Sequence, residues 1–186
     1  MWFDPARAMP SNVEIKARVR DFQDLLQRVR NWSQGYGKVF KQQDTFFTCP
    51  NGRLKLRQFT VSHPLKDAEL IWYQRADQCD SKLSDFTVTP IRNHFSDGLL
   101  ASLSNAYGVA GTVKKTRYLF MDTARHTRIH VDRVEGLGDF FELEVQMQDG
   151  QTLEQGKAIA ADLMQIFDIK DGDLVAGAYV DLLVAE

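Results

Sequence analysis

The sequence contains little cysteine, no long apolar run and no surplus of one charge. Cys49 and Cys79 are its only two cysteines among 186 residues, and they form no C-x-x-C pair. Reduced thiols are therefore expected, and a cysteine-based zinc site is disfavoured. No apolar stretch has the length of a membrane helix, so no membrane partner is expected. The formal net charge of -2 also lacks the basic excess typical of nucleic-acid-binding proteins.

The composition suits one globular domain with a substantial core, because 44% of the residues are hydrophobic and 26% are charged. We expect this single domain to cover residues 11–186. Residues 1–10 lack the apolar segment of a secretory signal peptide and are expected to form a disordered leader. A cytoplasmic location is the corresponding expectation.

Several short segments alternate strictly between polar and apolar residues. In residues 11–20, the polar positions Asn12, Glu14, Lys16 and Arg18 alternate with apolar ones. Side chains two residues apart share one face of a strand. The segment therefore predicts a strand with an apolar face on a core and a charged face directed elsewhere.

Similar patterns predict the rest of an α+β fold. Further strands are expected at 38–48, 53–57, 68–75, 84–91, 113–121, 126–134 and 140–147. Helices are expected at 22–32, 93–107, 151–167 and 173–184, and a loop at 76–83. About eight strands in hairpin order predict a closed antiparallel β-barrel with flanking helices, because closure removes exposed sheet edges.

The charged faces of these strands carry both signs. The bases placed on inner faces by strand parity are Lys16, Arg18, Arg53, Lys55, Arg57, Arg75, Lys115 and Arg117. The acids are Glu14, Asp132, Glu142 and Glu144, and Glu69 is not assigned to a face. A buried charged interior is costly unless its ions pair or a ligand fills it, so this pattern favours a functional cavity.

Each half of the charged set suits a different ligand. Clustered carboxylates suit Mg²⁺ or Mn²⁺, which prefer oxygen ligands. Many fixed cations suit a polyphosphate, which arginine can bind through two hydrogen bonds. Metals held beside phosphates are the recurring arrangement for phosphoryl and nucleotidyl transfer, in which the protein positions groups and neutralises charge.

Five stretches together resemble the CYTH superfamily, the triphosphate tunnel metalloenzymes. They are Asn12-Val13-Glu14-Ile15-Lys16, Arg53-Leu54-Lys55-Leu56-Arg57, Tyr73-Gln74-Arg75, Lys115-Thr116-Arg117 and residues 132–144, D-R-V-E-G-L-G-D-F-F-E-L-E. The first is similar to the E-x-E-x-K motif of that family. Order and spacing agree over residues 11–184.

The resemblance implies an eight-stranded tunnel that binds a triphosphate and divalent metals, Mg²⁺ or Mn²⁺. Known members include class IV adenylyl cyclases, thiamine triphosphatases and inorganic triphosphatases. Members often form dimers, which makes a homodimer compatible with the resemblance.

The resemblance also assigns roles to residues. The metal ligands would be Glu14, Asp132, Glu142 and Glu144. The phosphate-binding residues would be Lys16, Lys55, Arg57, Arg75, Lys115 and Arg117, to which strand parity adds Arg18 and Arg53. Glu14 and Lys16 are the expected catalytic residues.

Three residues carry further interpretations. Asn12 stands where the motif has its first Glu, so at least one metal is expected to bind more weakly. Lys16 is interpreted as a phosphate-binding residue, with a general base of lowered pKa as the second interpretation. His130 lies on the inner face by parity and is interpreted as a hydrogen-bonded structural residue rather than a catalyst.

The sequence thus predicts a metal-dependent enzyme that acts on a triphosphate. It would be a hydrolase of inorganic or thiamine triphosphate, or a cyclase that makes cyclic AMP and pyrophosphate from ATP. The charges alone do not separate these reactions. The alternative is a non-catalytic polyphosphate- or nucleotide-binding module whose metal site is incomplete at Asn12.

Overall fold

The computed structural model describes residues 10–35, 37–60, 67–76 and 81–185. The strands are β1 (Ser11–Arg18), β2 (Lys38–Phe47), β3 (Arg53–Phe59), β4 (Ala68–Arg75), β5 (Lys82–Ile91), β6 (Val109–Asp122), β7 (Thr127–Val134) and β8 (Gly138–Gln146). The helices are α1 (Phe22–Ser33), α2 (Asn93–Tyr107), α3 (Leu153–Ile166) and α4 (Tyr179–Ala185), with a 3-10 turn at Asp171–Asp173. No helix in this described part is long and apolar enough to cross a membrane. The expected leader lies outside the described residues except for Pro10.

The eight strands form a closed antiparallel barrel in the order β1-β5-β4-β3-β2-β6-β7-β8, and β8 pairs with β1 to close it. The predicted closed eight-stranded barrel with flanking helices is confirmed. In this order β1 and β2 are four positions apart, so they lie on opposite sides of the barrel. Glu14 of β1 is opposite Glu144 of β8, and Lys16 is opposite Glu142.

The largest apolar core lies outside the barrel, between the sheet and helices α1 and α3. Asp21 is the N-cap of α1, because its carboxylate accepts hydrogen bonds from two backbone amides of the first turn. Helix α3 approaches β1 closely at Gly156, where an added Cβ would lie 2.8 Å from Val13 Cγ2. Because helices cover much of the outer apolar surface, the inner faces of the strands can carry charged side chains together with apolar ones such as Phe46, Ile71 and Tyr73.

Several predicted boundaries differ from the structure; β6, for example, begins at Val109 rather than at residue 113. The loop expected at 76–83 ends early, because Lys82 and Leu83 already belong to β5, while residues 77–80 lie outside the described residues. The last helix, expected from residue 173, begins only at Tyr179. The chain before it is held extended against β1, where Leu174 bridges to Ala17 and Val175 N donates a hydrogen bond to Lys16 O at 2.9 Å.

Candidate active site

The inner faces of the strands enclose a cavity of about 450 Å³ that is lined by both charged and apolar side chains. Most of the predicted site residues line it, namely Glu14, Lys16, Lys55, Arg57, Arg75, Lys115, Arg117, Glu142 and Glu144. Ala178 and Tyr179 line it from the carboxy-terminal segment. The nine charged side chains, from five strands, thus meet in one space, as the alternation along each strand predicted.

One wall carries a basic cluster, which consists of Lys55, Arg57 and Lys115 around the carboxylate of Asp44. Arg57 binds this carboxylate through two hydrogen bonds, of 2.7 Å from Nε and 2.8 Å from Nη2. Lys55 Nζ lies 3.1 Å and Lys115 Nζ 3.5 Å from Asp44 Oδ2. Three bases therefore share one acid.

The pKa shifts in the basic cluster follow from burial and from the excess of three bases over one acid. Burial alone would raise the pKa of Asp44, but Arg57, Lys55 and Lys115 outweigh it and hold that pKa well below its usual range. Burial lowers the pKa of Lys55 to about 7, although Asp44 opposes the shift. Burial and Arg117 also lower the pKa of Lys115. A bound anion would favour the charged form of both lysines.

The opposite wall carries an acidic cluster, which consists of Glu14, Glu142 and Glu144 on β1 and β8. Their partners are basic side chains around the cavity: Arg75 pairs with Glu14, Arg117 and Lys16 pair with Glu142, and Arg128 pairs with Glu144. The pKa of Glu14 is raised by burial and by its two acidic neighbours, which together outweigh Arg75. A divalent cation would favour its charged form.

Lys16 lies beside the acidic cluster and the carboxy-terminal segment. Its Nζ donates a hydrogen bond of 3.1 Å to Gly177 O, lies 3.4 Å from Glu142 Oε1 and lies 4.0 Å from the centroid of the Tyr179 ring. Burial lowers the pKa of Lys16 to about 8. The residue is therefore mainly charged at neutral pH and loses its proton in mildly alkaline solution, which is compatible with both interpretations of its role.

The donor atoms of the acidic cluster fit a divalent metal ion. Ligand atoms of His130, Glu142 and Glu144 all lie within 4.8 Å of one another. Asn12 Oδ1 and His130 Nδ1 are buried and have no hydrogen-bond partner in the described part of the chain. Burial and the nearby Arg117 lower the pKa of His130, so its imidazole is neutral and has a free lone pair at neutral pH. The carboxylates and the Asn12 carbonyl are oxygen ligands that suit Mg²⁺ or Mn²⁺.

Three predicted site residues lie away from the described cavity wall. Arg18 donates a hydrogen bond to the carbonyl oxygen of Leu137 at 3.1 Å. Arg53 pairs with Asp181 at 2.7 Å. Asp132 is fully buried and accepts hydrogen bonds from Arg117 Nε at 2.8 Å and from the Tyr179 hydroxyl at 3.1 Å. Their roles in binding phosphate or metal stay predictions, whereas the contacts of Asp132 show that it positions Arg117.

Sequence reasoning missed three charged residues of the barrel interior, Asp44, Lys82 and Arg128, the last of which pairs with Glu144 at 3.0 Å. Asp44 could have been found by parity, because it shares the inner face of β2 with Gln42 and Phe46. Lys82 falls in the loop expected at 76–83, yet it is 2% exposed and lies opposite Glu14 in the pairing of β1 with β5. Directly opposite residues of paired strands have side chains on the same face, which places Lys82 beside Glu14.

Three solved structures show the same fold. PH1012 from Pyrococcus horikoshii OT3 has 22% sequence identity and a TM-score of 0.75, covering 92% of this chain and 99% of that chain. A candidate adenylate cyclase from Vibrio parahaemolyticus has 20% identity and a TM-score of 0.71, covering 97% and 100%. HpAC1 from Hippeastrum, a candidate adenylyl cyclase described as having a dominant triphosphatase activity, has 11% identity and a TM-score of 0.66, covering 95% and 96%.

No curated protein sequence matches this chain. The family model described as CYTH domain matches residues 11–179, which include both clusters and every strand of the barrel. The chain therefore belongs to the CYTH domain family.

Proposed function

We propose that this protein is a metal-dependent enzyme that hydrolyses a triphosphate inside its barrel. The observation that carries the proposal is the pairing of a basic cluster and an acidic cluster on opposite walls of one cavity. A triphosphate with its divalent cation has the same arrangement of opposite charges. The similarity in fold to a candidate adenylyl cyclase described as having a dominant triphosphatase activity supports hydrolysis as the main reaction.

In this proposal each cluster has one task. Lys55, Arg57 and Lys115 bind phosphate oxygens, and Arg75 and Arg117 extend the binding surface across the cavity. The carboxylates of Glu14, Glu142 and Glu144 hold Mg²⁺ or Mn²⁺. When bound, the metal would neutralise phosphate charge and lower the pKa of a coordinated water. Lys16 contacts the phosphoryl group next to the metal and stabilises its negative charge.

The pairs seen in the structure imply an exchange of partners on substrate binding. Arg75 and Arg117 are paired with the acidic cluster, and Arg57 is paired with Asp44. A metal ion that binds the glutamates would release the arginines toward the phosphates. Metal and triphosphate should therefore strengthen the binding of each other, because the metal binds the glutamates while the triphosphate binds the arginines that were paired with them.

Two other functions have observations of their own in support. The similarity in fold to a candidate adenylate cyclase of Vibrio parahaemolyticus supports a cyclase. In that reaction the ribose 3′-hydroxyl of ATP would attack the α-phosphorus, and pyrophosphate would leave. Asn12 in place of an acid supports a binding module without turnover. A cytoplasmic location and a homodimer stay predictions.

The test is a panel of inorganic triphosphate, thiamine triphosphate and ATP, each with Mg²⁺ or Mn²⁺. Phosphate, pyrophosphate and cyclic AMP are measured for the wild type and for Glu144→Gln. The matched control is Glu135→Gln, which changes an exposed residue in the turn after β7. We expect phosphate release by the wild type and the control, with a loss of at least about 100-fold in Glu144→Gln.

The other outcomes separate the alternatives. Release of cyclic AMP together with pyrophosphate from ATP would show that the protein is a cyclase rather than a hydrolase. No product from any substrate, with a melting temperature that still rises on addition of triphosphate, would establish the binding module. Equal activity in Glu144→Gln and the control would contradict the assignment of the acidic cluster as the metal site.

A further inference from the structure

His130 carries a buried nitrogen atom that lacks a partner. The residue lies on β7 and contributes to the cavity wall, and it is 3% exposed. Its Nδ1 atom has no hydrogen-bond partner among the residues that the structure describes. Buried polar atoms are nearly always paired, because an unpaired one loses its hydration without compensation. The predicted role of a hydrogen-bonded structural histidine therefore does not account for this nitrogen.

The surroundings of this nitrogen suit a shared cation better than a hydrogen bond. His130 Nδ1 lies 3.7 Å from Glu144 Oε1 and 3.8 Å from Glu142 Oε2. Both distances are too long for a hydrogen bond. Two ligands at about 2.1 Å from one octahedral ion lie about 3.0 Å apart when adjacent and about 4.2 Å apart when opposite. The two measured distances lie between these two values, so the side chains would shift by about 0.7 to 0.8 Å to become adjacent ligands of one ion.

A second unpaired atom lies on β1, which is separated from β7 by β8. Asn12 is 3% exposed, lines the same cavity and shares the inner face of β1 with Glu14. Its Oδ1 has no hydrogen-bond partner in the described chain. Because Asn12 is neutral, the site has one negatively charged oxygen fewer than an acidic side chain would give. This lowers its affinity for a hard ion and leaves more of the binding to the remaining ligands.

We propose that His130 is a metal ligand, which binds the ion through Nδ1 together with Glu142 and Glu144. This inference rests on the proposed metal-dependent function and deepens it by naming the class of ion. Mg²⁺ takes oxygen ligands, whereas imidazole nitrogen is a better ligand for divalent ions of the first transition series. The protein therefore favours a divalent ion of the first transition series over Mg²⁺, and Mn²⁺ serves as the paramagnetic probe of this class.

The direct test is pulsed electron paramagnetic resonance of the full-length protein loaded with Mn²⁺. An imidazole nitrogen bound to Mn²⁺ produces a ¹⁴N modulation of the spin echo, and protein with ¹⁵N-labelled histidine replaces this modulation by that of ¹⁵N. We expect both results for the wild type. The modulation should disappear in His130→Gln and persist in His94→Gln, which changes an exposed histidine at the start of α2.

Calorimetry measures the selectivity without relying on turnover. We expect His130→Gln to weaken Mn²⁺ binding by about tenfold and to leave Mg²⁺ binding nearly unchanged, because glutamine offers an oxygen in place of the nitrogen. The same titrations of His94→Gln should match those of the wild type. Equal losses for both ions in His130→Gln would contradict selection by the nitrogen ligand.

The outcomes separate this inference from the proposed function. Bound Mn²⁺ without histidine modulation in the wild type would overturn the inference, and triphosphate hydrolysis under the same conditions would leave the proposed function standing. Absence of both Mn²⁺ binding and turnover would overturn both. The labelled wild type decides the question even where His130→Gln fails to fold.

Discussion

Asp44 and Glu14 are acids of the same cavity, on strands from opposite sides of the barrel. Burial acts on both in the same direction, yet their pKa shifts are opposite. The pKa of Asp44 is held well below its usual range by three neighbouring bases. The pKa of Glu14 is raised, because two neighbouring acids add to the effect of burial and only Arg75 opposes it strongly. Neighbouring charges, rather than burial, therefore distinguish these two acids.

The comparison teaches that an unequal number of acidic and basic side chains in a buried cluster indicates the charge of the ligand that would bind there. The basic cluster has more bases than acids and would be stabilised by an anion. In the acidic cluster, Lys16 and Arg117 outweigh burial and hold the pKa of Glu142 well below its usual range, and nearby bases lower that of Glu144 to about 2. Only Glu14 of the three acids therefore has a raised pKa. A cation there would stabilise the charged form of Glu14. A metal-bound triphosphate would correct both imbalances at once.

Removal of Asp44 should have the largest effect. Asp44→Asn leaves Arg57 buried beside two lysines without their carboxylate, so we expect the free energy of unfolding to fall by about 3 kcal/mol. Inorganic triphosphate should restore part of the loss, because its charge replaces that of Asp44. Urea unfolding with and without triphosphate measures both effects. Asp149→Asn, at an exposed turn, is the control, and equal stability of the two variants would refute this account of the basic cluster.

The affinity for triphosphate should fall as the pH rises. Lys55 and Lys16 have pKa values of about 7 and about 8 in the free protein. A bound triphosphate favours their protonated forms and raises these pKa values. The complex therefore holds more protons than its free components, and binding weakens through this pH range. We expect a loss of tenfold or more between about pH 7 and 9.

Calorimetry in buffers of different ionisation enthalpy measures this proton uptake directly. Lys55→Arg keeps the charge but does not titrate in this range, so it should take up fewer protons than the wild type. Lys114→Arg changes the exposed neighbour of Lys115 on the outer face of β6 and should behave like the wild type. Proton release on binding would show that the lysines are not the phosphate ligands.

Neutralising Glu14 should weaken metal binding while it leaves the stability of the metal-free protein nearly unchanged. Because its raised pKa shows that the folded protein disfavours the charged form, Glu14→Gln should change the free energy of unfolding of the metal-free protein by less than about 1 kcal/mol. It should weaken Mn²⁺ binding by about tenfold through loss of a charged ligand. Titration calorimetry and urea unfolding on the same sample test both. A large loss of stability with unchanged metal affinity would reverse the assignment.

Restoring an acid at position 12 should have the smallest effect. Asn12→Glu adds a negatively charged oxygen to the acidic cluster, so Mg²⁺ and Mn²⁺ should bind about fivefold more tightly. Asn105→Glu adds the same charge at an exposed position on α2 and serves as the control. Titration of both variants with each ion measures the difference. Unchanged affinity in Asn12→Glu would place residue 12 outside the metal site.

Alternation along the chain predicted the barrel and the inner position of most charged side chains, because strand parity is a local property. It could not predict which charges meet. The sharing of Asp44 by Lys55 and Lys115 depends on the pairing of β2 with both β3 and β6. Arg53 has the predicted parity, but it lies at the beginning of its strand, where Asp181 is its partner.

Other features required an account of hydrogen bonds that a sequence does not supply. The unpaired nitrogen of His130 is defined by the atoms around it and not by any motif. The late beginning of α4 has a similar origin. Residues before Tyr179 pair with β1 and offer the Gly177 carbonyl to Lys16 and Arg75. These tertiary contacts replace the helical hydrogen bonds that local periodicity predicted.

The pairing of β1 with β8 also has a consequence for the folding of the chain. Glu14 and Glu144 are neighbours across this seam but are separated by most of the chain. Closing so long a loop costs conformational entropy before the contact stabilises anything, so contacts of this kind tend to form late in folding. On the ribosome, the basic cluster can assemble once β6 has emerged, whereas the acidic cluster must wait for the last strand. A nascent chain can thus complete the proposed phosphate-binding cluster before it completes the proposed metal-binding cluster.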